Sequence, residues 1–65
     1  MNDHIMQFFA YQHLPEHLQA ASKPFADLAQ QIQQMAAPNP ERTVALRKLL
    51  ESKDAAVRAV LCSDE

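Results

Sequence analysis

Apolar residues recur along this chain in helical rather than strand register. Leu14, Leu18, Ala21, Phe25, Leu28, Ile32 and Met35 follow one another at alternating steps of four and three. That is the spacing of a seam along which one helix packs on another. The pattern predicts a helix over 15–36. Pro15 suits its first position, where a missing N–H costs nothing, and Glu16 complements the positive end of the dipole. Pro24 interrupts the seam by removing the bond to the Ala20 carbonyl, so a kink is expected beside Lys23. A second stripe, Leu46, Leu49, Leu50, Val57, Val60 and Leu61, predicts a helix over 40–61, with Lys53 inside the stripe and Ala55-Ala56 allowing close approach of another helix. Between the two lies a turn over 37–39, with Asn39 as N-cap and Pro40 as first helical residue.

Residues 1–14 form an apolar, aromatic arm. A short helix is expected over Asp3–Ala10, capped by Asn2 or Asp3. Tyr11-Gln12-His13-Leu14 should then run extended, because Leu14 precedes Pro15 and is steered out of the α region. The whole is one all-α domain over 1–65, an antiparallel two-helix hairpin with a short N-terminal helix. Two helices enclose no interior, so Phe8, Phe9, Phe25, Leu49 and Val60 are expected to seek another copy of the chain.

Size sharpens that expectation. A chain of 65 residues buries only about 60% of its unfolded surface, and small domains compensate with disulfides, a metal or partner subunits. Cys62 is the single cysteine, so no disulfide forms within one chain. It reads as a reduced cytosolic thiol near a fraying end. The expected solution is a homo-oligomer.

There is no glycine, which removes Gly-rich phosphate loops and dinucleotide fingerprints and argues against tight primed hairpins. The net charge of −2 supplies no field for duplex DNA or an anionic membrane. Charge is nevertheless uneven. Asp3, Glu16 and Asp27 face only Lys23 in residues 1–38, whereas five acids and five bases share residues 39–65. The N-terminus carries no basic residue before a short apolar run, so no export signal is expected. No apolar run approaches the roughly 18 residues of a membrane span. A cytoplasmic protein is expected.

Few residues suggest chemistry. His13 and His17 have a metal-pair spacing, but Pro15 lies between them, His13 should sit outside the helix, and no further ligand completes a zinc set. Ser22, Ser52 and Thr43 are the possible nucleophiles, and none has a nearby histidine. No metal, no cofactor and no catalysis are expected. Arg42 and Thr43 fall in the first turn of the second long helix, where unpaired N–H groups and the dipole favour anions and a guanidinium matches phosphate. The plain alternative is an ordinary capped start with a solvated arginine. Tyr11 is either packed against the hairpin or free to stack on a base. Lys23 either pairs with Asp27 on the surface or meets an anion near the kink.

Three stretches carry a resemblance. They are Tyr11-Gln12-His13-Leu14-Pro15-Glu16, Ser22-Lys23-Pro24-Phe25-Ala26-Asp27-Leu28-Ala29, and the run from Asn39-Pro40-Glu41-Arg42-Thr43-Val44-Ala45-Leu46 to Asp54-Ala55-Ala56-Val57-Arg58. Together they resemble the phage anti-CBASS cyclic-nucleotide sponges, a group of small phage helical-hairpin proteins. The resemblance implies a compact hexamer of hairpins in the host cell cytoplasm. Such proteins sequester cyclic dinucleotides, and in several members cyclic trinucleotides at separate sites, without cleaving them. It implies that Tyr11 stacks on a base and Lys23 meets the cyclic phosphate. Arg42 and Thr43 are assigned to ligand contacts, and Arg47 and Lys48 to the ligand or to the subunit interface. Two other classes compete: a helical module that inhibits a host protein, and a DNA-binding hairpin, which would need a basic stripe.

Overall fold

A computed structural model describes residues 4–62. Its regular elements among the described residues are three helices: a 3₁₀ helix His4–Phe9, α1 Glu16–Met35 and α2 Pro40–Cys62. The all-helical class expected from the apolar spacing is what forms.

Both long helices take their ends from local chemistry. Pro15 stands just before α1 rather than inside it, with ψ of 150°. Its carbonyl accepts the Leu18 and Gln19 N–H groups at 2.9 and 3.0 Å. α1 continues on both sides of Pro24, so the missing hydrogen bond is a local defect and not a helix end. With no glycine to adopt a left-handed cap, the chain leaves α1 by turning extended at Ala36 (φ −133°, ψ 136°). The Ala36 N–H still reaches the Ile32 carbonyl at 3.2 Å. α2 opens as expected. The Asn39 Oδ1 accepts the Arg42 N–H at 2.8 Å, and Pro40 is the first helical residue. α2 runs to Cys62, one residue beyond the expected end, and Cys62 is exposed.

The N-terminal arm forms the expected short helix and differs from expectation in two details. Its helix is 3₁₀ and spans His4–Phe9; the proposed caps Asn2 and Asp3 lie outside the described residues. A run this short gains too few bonds to offset α-helix nucleation, and the tighter helix brings residues three apart into line. His4 Nε2 and Gln7 Nε2 accordingly meet at 2.8 Å. Second, Tyr11–Leu14 is a turn rather than an extended strand, closed by the Leu14 N–H on the Tyr11 carbonyl at 3.0 Å. The proline constrains only Leu14, which leaves Gln12 and His13 free to turn.

α1 and α2 pack on each other, and the 3₁₀ helix packs on both. Phe9, Ala26, Ala29 and Leu46 form the core, with Ile5, Met6, Tyr11, Phe25, Ile32, Leu49 and Leu50 packed around it. The buried stripe of α1 is Leu18, Ser22, Ala26 and Ala29; of the expected seam Leu18 is buried and Phe25 and Ile32 pack beside the core, while Leu28 is 41% and Met35 71% exposed. Small residues make up most of that face, and Phe25 and Ile32 stand at its flanks, only partly buried. Phe9, expected to seek another chain, is buried within its own. None of the described helices is long and apolar enough to cross a membrane.

Candidate functional site

The turn between the 3₁₀ helix and α1 positions Tyr11. Gln19, one turn into α1, donates its Nε2 to the carbonyls of Leu14 at 2.8 Å and Gln12 at 3.3 Å. The Tyr11 N–H itself donates to the Gln12 Oε1 at 3.3 Å. One glutamine thus fastens the turn to the helix. Tyr11 is half-buried against the core and lines a hollow of about 110 Å³ with Met6, Phe9, Ala10, Gln12, Ala26 and Gln30.

Lys23 and Asp27 lie on α1 and pair at 3.0 Å between Nζ and Oδ2, their side chains 57% and 49% exposed. The bond to Asp27 and that carboxylate's charge raise the Lys23 pKa above its ordinary value of 10.5, and the Tyr11 phenol adds to the rise. The ammonium is therefore charged throughout the neutral range. It also lies within electrostatic reach of a ring twelve positions away in sequence. Lys23 does not line the Tyr11 hollow itself but stands one helical turn before Ala26, which does, with Asp27 as the cation's partner.

Arg42 and Thr43 are placed elsewhere, in the first turn of α2. Arg42 is buried at 8% exposure, and its Nη1 donates to the Ala36 carbonyl at 2.8 Å. Its guanidinium ties the start of α2 to the end of α1, a contact that the expectation of a solvated or ligand-facing arginine missed. A sequence cannot show it, because the acceptor is a backbone carbonyl across the turn. The Thr43 hydroxyl donates to the Asn39 carbonyl at 3.3 Å. Thr43 remains exposed and lines a second hollow, of about 320 Å³, with His4, Ile5, Phe8, Leu46 and Arg47. Lys48 pairs with Glu51 at 3.7 Å on the surface.

The remaining candidates are accounted for by position. His13 lies in the turn and His17 in the first turn of α1, both exposed. No group of three or more His, Cys, Asp or Glu side chains among the described residues could hold a metal ion. Ser22 is sealed from solvent, and its Oγ has no hydrogen-bond partner among the described residues. Gln19 and Gln30 are the site residues that sequence reasoning passed over, since polar glutamines on a helix read as a solvated face. No family model, curated protein or solved structure matches this chain.

Proposed function

We propose that this chain is a non-enzymatic sponge for cyclic dinucleotide second messengers. It would act in the cytoplasm of a phage-infected host and block CBASS effectors by sequestration. The observation that carries the reading is the hollow lined by Tyr11 and Ala26, with Lys23 one helical turn before Ala26 and within electrostatic reach of the Tyr11 ring. A half-buried aromatic ring offers a face for a base, which contributes through stacking whatever the base. A neighbouring ammonium offers donors to a phosphate. These are also the residues that the resemblance to anti-CBASS sponges selects.

The assembly follows from size. Small-molecule pockets usually span roughly 300–1,000 Å³, and the Tyr11 hollow of about 110 Å³ holds no more than one base. The rest of a ring-shaped ligand must be covered by a second chain. We therefore propose antiparallel hairpins assembled as a homo-oligomer, a hexamer on the resemblance, with ligands at the seams. Cyclic trinucleotides are candidate ligands for a separate site.

A competing reading, an inhibitor of a host protein, draws on the exposed side chains of Phe8, Val44 and Leu61. Calorimetry with a panel of cyclic di- and trinucleotides separates the two. The sponge binds at least one and releases it unchanged on denaturation. Tyr11→Ala abolishes dinucleotide binding and leaves the oligomer intact. Indifference to the whole panel would overturn the proposal, and recovery of a linear product would identify a nuclease instead.

A further inference from the structure

We infer that Asp27 is the specificity-determining residue of the Tyr11–Lys23 site: by sharing the Lys23 ammonium, it admits singly charged phosphodiesters and turns away doubly charged terminal phosphates. The inference rests on the sponge reading and names the chemical class that reading requires.

Folding does not explain the Lys23–Asp27 pair. Both side chains are about half exposed, and exposed ion pairs contribute little. The order is also the weaker one, since an acid stabilises a helix best when it precedes its base by four residues, and here the base comes first. Neither residue has a second ion-pair partner among the described residues. The pair instead flanks the hollow that Tyr11 lines: Ala26, next to Asp27 and one turn from Lys23, forms part of its wall.

Its electrostatics are selective. An ammonium has three donors, and one is directed to the Asp27 Oδ2 at 3.0 Å. The others remain for a phosphate oxygen, which must settle next to the carboxylate. Lys23 and Asp27 together carry no net charge, so the site holds a phosphate by hydrogen bonding more than by charge. An internal phosphodiester brings one negative charge. A terminal phosphate brings about −1.5 to −2 at pH 7, and its added charge finds no uncompensated cation while it faces the carboxylate. Intact cyclic messengers contain only diesters, whereas ring-opened products end in a monoester. The site therefore reserves its capacity for the intact signal.

The test is calorimetry with cyclic di-AMP, cyclic di-GMP and cyclic GMP–AMP, each against its ring-opened form bearing a 5′-phosphate. The wild-type chain should bind at least one ring and prefer it to its opened form. Asp27→Asn keeps an acceptor for Lys23 but removes the charge, and should narrow that preference roughly three- to tenfold, mainly by tightening the linear ligand. Asp27→Glu keeps the charge and should preserve the preference. An unchanged ratio in Asp27→Asn overturns the role of Asp27 while leaving the sponge intact. Failure of every ring to bind the wild-type chain removes the sponge reading and this assignment together.

Discussion

At the scale of single residues, Arg42 illustrates how one side chain changes meaning once its surroundings are known. An arginine in the first turn of a helix matches phosphate in shape and charge. Here it is buried and spans the turn to the Ala36 carbonyl, while its own N–H is capped by Asn39. These contacts fix how α2 leaves α1. Asn39→Ala is expected to lower stability by about 1 kcal/mol, and Arg42→Ala by about 1.5–3 kcal/mol, the range for a hydrogen bond from a charged group. Urea unfolding checks both. If Arg42→Ala left stability unchanged yet weakened ligand binding, Arg42 would return to the binding site.

At the scale of elements, α1 carries both an internal proline and most of the candidate site. Pro24 lies inside it, so the Ala20 carbonyl loses its usual donor and crowds the ring. Pro24→Ala should restore that bond. It should stabilise the chain by about 1–2 kcal/mol, once the greater freedom of the unfolded state is allowed for. A loss of stability in thermal unfolding would show that the proline ring is needed where it stands. The same helix presents Lys23 and Asp27 one turn apart, and its Gln19 holds the Tyr11 turn. The helix thus acts as the rigid strut between the two halves of the candidate site.

At the scale of the whole molecule, large apolar side chains stay open to solvent among the described residues. Phe8, 53% exposed, lines the hollow of about 320 Å³ beside Leu46 and Arg47. Among the described residues only five apolar side chains are buried, too small a core to stabilise the fold comfortably on its own. Self-association should therefore stabilise the fold, and the melting temperature should rise with protein concentration. A melting temperature that stays constant over a hundredfold dilution, together with a monomer mass by light scattering at micromolar concentration, would remove the oligomer.

The helices and most of their ends were written in local chemistry. Asn39 and Pro40 start α2, the absence of glycine sends Ala36 extended, and apolar spacing marks the lengths of both long helices. These features depend on neighbours within a few residues, so a sequence carries them directly. Tertiary structure alone decided which face of α1 is buried, because a helical period sets the spacing between apolar positions but not the rotation that a partner helix selects. Leu28 and Met35 fit the period and lie outside, while Ser22 and Ala26 lie within. It also decided that Phe9 closes the core, that Arg42 serves the turn, and that Tyr11 and Ala26 wall one hollow. Each of these is a contact between residues distant along the chain or across a turn, and only packing sets such distances.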